Sequence, residues 1–217
     1  MLTELPPAEG TTDAEPFAGP DHPMRKVTRG VAFDGAWSSE RAGKVADLFD
    51  SMAADWAADH VDDVKAAPIL DALKRGGLRR GGEWAELGSG TGAGTRLLHD
   101  RVDRLVATDL SYRMLVHAPD LAPRVQADAS TLPFPDDAFD GVLLVNMLLF
   151  PAEIDRILRP EGALVRVNSL GDHTPIHLPP ADVAAALPGE WSGSTARAGT
   201  GLWAVLRRTD NRKGNQR

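Results

Sequence analysis

The stretch "AELGSGTGAG", residues 85–94, sets glycines at positions 88, 90, 92 and 94 directly after an apolar run. Glycine is favoured where a backbone turns tightly or comes close to a ligand. An apolar strand, a glycine loop and a helical pattern in that order commit the chain to the opening unit of a parallel sheet. The downstream pattern repeats the unit. Short apolar runs near 83–87, 104–109, 124–127, 141–146 and 163–168 alternate with helical stretches near 92–100, 111–118, 152–158 and 180–187. The runs "EWSGSTARA" and "GLWAVLRR" are separated by "GTG", with no room for a helix, and read as an antiparallel hairpin. The fold class is α/β: a doubly wound, mostly parallel seven-stranded sheet ending in an antiparallel hairpin.

The residues ahead of this core divide in two. Residues 1–29 are rich in Pro, Gly, Thr and acids without periodicity, and read as a flexible arm, disordered or draped over the domain. Residues 30–80 read as N-terminal lid helices packed on the core. Ser39 caps one in which Val45, Leu48, Phe49, Met52 and Trp56 recur at helical spacing. A second, about 64–75, stops at "KRGG". Residues 81–208 form the core, and 209–217 a flexible tail. The 217 residues suffice for one domain. No apolar run approaches the roughly 18–20 residues of a membrane span, and the acidic start is unlike a signal peptide. Zero cysteines exclude disulfides, thiolate metal sites and a cysteine nucleophile, and fit a cytoplasmic protein. A net charge of −7 argues against a broad nucleic-acid surface, and the basic stretches "RKVTR" and "RTDNRKGNQR" read as solvated.

A glycine loop that opens a helix turns backbone N–H groups and a positive helix end toward its ligand. Gly88, Gly90 and Ala93 also satisfy the dinucleotide fingerprint, with Asp109 where a ribose-binding acid belongs. The acids narrow the choice. Glu86, Asp109 and Asp128 each fall at the expected C-terminal end of one of the first three strands, which line one crevice. Three carboxylates there would repel a pyrophosphate. They suit a ligand with an ammonium, a sulfonium and a ribose diol. Helix capping is the alternative for Asp109 and Asp128.

"WAELGSGTGAGTRLL", "LVATDLSYRML", "VQADASTLPFPDDAFDGVLL" and "EIDRILRPEGALVRVNS" occur in order, and with them the chain resembles class I S-adenosylmethionine-dependent methyltransferases of the small-molecule, methyltransferase type 11 kind. The resemblance implies a Rossmann-like core with S-adenosyl-L-methionine as cofactor and S-adenosyl-L-homocysteine as product. Gly88, Ser89 and Gly90 would lie against the methionine and ribose, and Glu86 would help hold the methionine end. Asp109 would accept from the ribose hydroxyls, with Leu110 beside the adenine. Asp128 would take the adenine amino group and the Ala129 N–H a ring nitrogen. Asn146 would face the methionine through its backbone. The stretch "VADLFDSMAADWAADH" resembles the helix that covers the cofactor in this family; Trp56 stands where tyrosine is usual, and His60 follows toward the same mouth.

Methyl transfer leaves the protein to position and desolvate, with a base needed only where the nucleophile must lose a proton. In "NSLGDHTPIHLP" after the fifth strand, Asp172, His173 and His177 are candidates for the substrate wall, with His173 and His177 as candidate bases. Two histidines four apart without a helix do not make a metal site, and none is expected. The acceptor is a small molecule, with no nucleic acid or membrane, and the protein a monomer or homodimer. A non-methylating or sensing protein for the same cofactor, and an NAD-dependent oxidoreductase, are the alternatives.

Overall fold

The computed structural model describes residues 1–58 and 63–209. Eight strands form one sheet: β1 (Leu2–Glu4), β2 (Glu83–Leu87), β3 (Arg104–Asp109), β4 (Arg124–Gln126), β5 (Phe139–Val145), β6 (Leu158–Asn168), β7 (Trp191–Ala198) and β8 (Gly201–Arg208). Their order across the sheet is β1-β7-β8-β6-β5-β2-β3-β4. β2 pairs parallel with β3 on one side and β5 on the other, so the winding reverses between β2 and β5. β8 is antiparallel to both β6 and β7, which is the expected closing hairpin.

Helices cover both faces, which is why β5 reads "FDGVLLV" rather than as an alternating pattern. Helix α1 (Pro23–Asp34), α6 (Pro151–Ile157) and α7 (Pro180–Ala186) contribute Val31, Ile154 and Val183 to the core on one face. On the other, α3 (Asp63–Arg75) and α4 (Ala93–Leu98) bury Ile69, Ala72 and Leu98 against Trp84, Val165 and Trp203. The Trp84 indole lies where a side chain of Gly141, its partner in register on β5, would stand, so only glycine fits there. Among the described residues no helix is long and apolar enough to cross a membrane.

The N-terminal segment differs from a free arm, and the sheet has eight strands rather than seven. Leu2–Glu4 add in parallel to β7, which would otherwise be the sheet edge. A three-residue strand is too short to show an alternating pattern. The segment then crosses to α1, whose Thr28, Val31 and Ala32 are buried and whose first turn is capped by the His22 side chain. Helix α2 (Ser39–Ala58) also departs from expectation. It lies against α5 (Tyr112–His117) rather than on the sheet and buries only Ala42 and Ala53. Leu48 and Trp56 of the expected apolar stripe are 55% and 46% exposed, so Trp56 is not a core residue. The candidate His60 and the tail residues 210–217 lie outside the described residues.

One buried polar contact ties α3 to the sheet. The fully buried Trp203 donates its indole N–H to Asp71 at 2.7 Å, and Arg75 donates two hydrogen bonds to the same carboxylate. Asp71→Ala leaves the indole N–H without a partner and is expected to lower stability by about 1–3 kcal/mol, read by urea unfolding.

Candidate functional site

The reversal between β2 and β5 opens a crevice at the C-terminal strand ends, the usual ligand position in such sheets. The glycine loop leaves β2 there with Gly88 at φ 66° and Gly90 at φ 54°. A side chain on Gly88 would collide with the Met147 sulfur, whereas one on Gly90 would meet only open space. Between them, the Ser89 N–H donates to the Thr108 carbonyl at 2.9 Å. The Ser89 hydroxyl is buried without a hydrogen-bond partner.

Asp109 closes the end of β3. One carboxylate oxygen accepts from the Gly90 N–H at 2.7 Å and the other from the Ser111 N–H at 2.8 Å. Burial raises its pKa, and these backbone donors oppose the rise. Leu110 follows, half-buried, its carbonyl accepting from the Gln126 amide. Ser111 caps α5 by accepting from Met114 N–H and donates to Asp50 of α2 at 2.5 Å. Asp50 also accepts from Arg113 N–H, and these bonds lower its pKa.

Asp128 lies beyond β4. One oxygen accepts from Ser130 N–H at 2.8 Å, and Ala129 between them is buried. The Trp37 indole N–H donates to both oxygens, at 3.0 and 3.1 Å. Trp37 comes from the turn between α1 and α2 and packs edge-on against Phe150, with ring centroids 5.3 Å apart. The aromatic residue that reaches this crevice is therefore Trp37, not Trp56, which packs against Phe49 at 5.9 Å with an exposed face. Its signal was available in the sequence as a tryptophan between two helices.

Glu86 points the other way. Its buried carboxylate accepts from the Thr95 hydroxyl at 2.5 Å and from the backbone N–H groups of Gly94 and Thr95. It satisfies the first turn of α4 and fills the notch at Gly94, so it does not line the crevice. Spacing along β2 could not show this, because it depends on which face of the strand the side chain takes. Burial raises the Glu86 pKa to about 7.

Asn146 ends β5 in the left-handed region at φ 49°. Its side chain donates to the Ser169 hydroxyl at 2.8 Å and accepts from Ser169 N–H at 2.9 Å, locking the ends of β5 and β6 together.

On the far side of the crevice the loop after β6 brings Asp172 and His177 together. The Asp172 carboxylate accepts from Arg197 at 2.7 Å and its backbone carbonyl from Arg25 of α1. His177 is buried, and its Nε2 lies 4.0 Å from Asp172. Burial, aided by Arg25 nearby, lowers its pKa to about 4, so the imidazole is neutral at pH 7. His173, in the same 3-10 turn as Asp172, is half-buried; its backbone N–H donates to Leu170. Among the described residues no three His, Asp or Glu side chains could hold a metal ion.

Residues 85–166 match the family model of a methyltransferase domain. That stretch is similar to methyltransferase domains. Demethylmenaquinone methyltransferase of Tropheryma whipplei is 35% identical over 106 residues, covering 43% of this chain and 44% of that protein. The ubiquinone/menaquinone biosynthesis C-methyltransferase UbiE of Chromobacterium violaceum is 32% identical over 148 residues, or 58% of this chain and 60% of that one. The chain thus spans about half the length of the curated relatives it matches. Among solved structures, a DhpI–SAH complex superposes with a TM-score of 0.62 at 24% identity over 79% of this chain and 98% of that one, a likeness in fold. The matched stretch begins inside β2, ahead of the glycine loop, and ends inside β6, so it holds Asp109, Asp128 and Asn146 together. An orphaned Ser89 hydroxyl, the open space at Gly90 and two carboxylates fit S-adenosylmethionine.

Between the ordinary glutamate pKa of 4.5 and its native value of about 7, Glu86 holds a proton that the unfolded chain has lost. Native stability therefore falls as pH rises through that window, by on the order of 3 kcal/mol. Glu86→Gln should flatten the fall, seen as a smaller difference between urea midpoints at pH 5 and pH 8. At position 146, Asn146→Gly keeps the left-handed backbone and should retain more S-adenosylhomocysteine affinity than Asn146→Ala, which pays about 1 kcal/mol in strain.

Proposed function

We propose that this protein is an S-adenosylmethionine-dependent methyltransferase that transfers the methyl group to a small-molecule acceptor by in-line displacement. The observation that carries the reading is the pair Asp109 and Asp128, at the ends of adjacent strands beside a methyltransferase glycine loop. The likeness to a demethylmenaquinone methyltransferase and to a ubiquinone/menaquinone biosynthesis C-methyltransferase supports a small-molecule acceptor.

The bound cofactor would supply an electrophilic methyl carbon on sulfur. The chain's own residues hold and enclose it. The Asp109 carboxylate already accepts from the backbone N–H groups of Gly90, Ser111 and Leu110, and of its roughly four lone-pair sites one is left for a ribose hydroxyl. Asp128 would accept from the adenine amino group, in the position where Trp37 N–H now approaches. The backbone of Gly88, Ser89, Gly90 and Asn146 would line the methionine. Glu86 acts from behind, by holding α4 under the loop. Neutral His177 lies in the wall on the acceptor side of the crevice, with its Nδ1 buried and unpartnered. His173 and Asp172 belong to the same wall, and α2 with Trp56 flanks α5 on the outside of the site.

Isothermal titration with S-adenosylhomocysteine and with NAD tests the reading: the first should bind and the second not. Asp109→Ala should weaken S-adenosylhomocysteine by about 1.5–3 kcal/mol. Binding should also change the tryptophan emission of the wild type more than that of Trp37→Phe. Equal responses would mean that the nucleobase does not meet Trp37.

A further inference from the structure

Buried polar atoms without partners are rare, and each calls for a ligand, a water or an ion. Here they gather. The Nε of Arg25, the Nε of Arg166, the side-chain nitrogen of Asn168 and the Nδ1 of His177 are all buried with no hydrogen-bond partner. Asn168 and Arg166 share one face of β6, two residues apart. Arg166 donates to the Ile176 carbonyl at 3.2 Å, and Arg25 reaches the next carbonyl, His177, at 3.5 Å. The two guanidinium groups therefore bracket the same turn of the loop after β6, and both lie near enough to the His177 imidazole to disfavour its charged form.

Three of these atoms are N–H donors whatever the pH, and neutral His177 supplies a fourth when its proton sits on Nδ1. Four donors facing no acceptor specify an acceptor-rich guest. Charge says the same. Arg75 and Arg156 each pair with a carboxylate. Arg166 is 3% exposed, and both its hydrogen bonds go to carbonyl oxygens, Met147 and Ile176; among the described residues it has no carboxylate partner. Burial lowers its pKa to about 10, which still leaves it cationic at pH 7. Removing one carboxylate partner from a buried cation is strongly destabilising, so a lone buried guanidinium is a costly feature for a fold to keep. Arg197 adds positive charge at the rim, shared with Asp172. Water could satisfy the donors but not the charge.

We propose that Arg25, Arg166, Asn168 and His177 form an oxyanion pocket beneath α1, and that it takes the carboxylate or phosphate group of the acceptor molecule. The part that names the acceptor rests on the methyltransferase reading; the pocket itself does not. Its place supports the assignment. Arg166 donates to Met147, whose side chain packs on Gly88, so the pocket adjoins the methionine end of the crevice. The crevice is then polarised, with acids where a cationic cofactor would lie and arginines where an anion would. Arg25 of α1 lies over the pocket, bonded to the His177 and Asp172 carbonyls.

The test is calorimetric titration of the full chain with inorganic phosphate and with benzoate at constant ionic strength in chloride, with and without saturating S-adenosylhomocysteine. Saturable binding of phosphate or benzoate is expected. In Arg25→Gln, a half-buried position on α1, that binding should weaken at least fivefold while S-adenosylhomocysteine affinity stays within twofold. Phosphate alone binding would mark a phosphorylated acceptor, and benzoate alone a carboxylate. Heats no larger than those of chloride for both anions, or unchanged binding in Arg25→Gln, would overturn the pocket. Loss of S-adenosylhomocysteine affinity in step with the anion would assign these residues to the cofactor instead. If the wild type fails to bind S-adenosylhomocysteine, the methyltransferase reading falls, and the titration without it still decides the pocket.

Discussion

The Asp109 carboxylate is the joint on which the crevice depends. It ends β3, accepts from Gly90 in the glycine loop and accepts from Ser111 at the start of α5. Ser111 in turn donates to Asp50, so α2 is tied to the same point. One side chain thereby fixes the loop from β2, the helix after β3 and the helix that precedes the core. Such a joint is stiff because its acceptor is charged and its donors are backbone groups with nowhere else to go. Glu86 does the matching work from beneath, where Thr95 and the first N–H groups of α4 hold it out of solvent.

Around that joint the charges are sorted. The protein is acidic overall, yet Arg25, Arg166 and Arg197 surround His177 on the β6 side, while Asp109 and Asp128 occupy the β3 and β4 side. A field of this kind favours a cation and an anion in neighbouring places. It also keeps His177 neutral, since every nearby guanidinium disfavours the imidazolium. A neutral imidazole can keep its one proton on Nδ1 and offer it as a hydrogen bond.

The segment before the core is the cover over both halves. Its first residues extend the sheet at β7, its helix α1 brings Arg25 to the basic side, and the turn after it brings Trp37 to Asp128. The two contacts lie on one short stretch of chain, so movement of α1 would uncover both together. Proline and glycine in residues 1–22 suit a strap that crosses the surface, because the few backbone groups it leaves inside are paired with β7 and with its own turns.

The sequence by itself determined the architecture. Strands β2 to β8, helices α2 to α7 and the closing hairpin were legible because buried parallel strands and amphipathic helices leave local patterns, and Asp109 and Asp128 were legible because strand ends in a doubly wound sheet converge. It placed His177 in the loop after β6 without showing that it is buried or neutral. What only the tertiary structure decided is which partners meet. Trp37 lies 91 positions from Asp128, and Arg25 is 147 from Asp172; no local spacing encodes such pairs. The face taken by Glu86, the exposure of Trp56 and the solitary charge of Arg166 are likewise properties of packing. Burial and pairing depend on what the rest of the chain brings to a residue, and a periodic pattern reports only that a residue has a side to show.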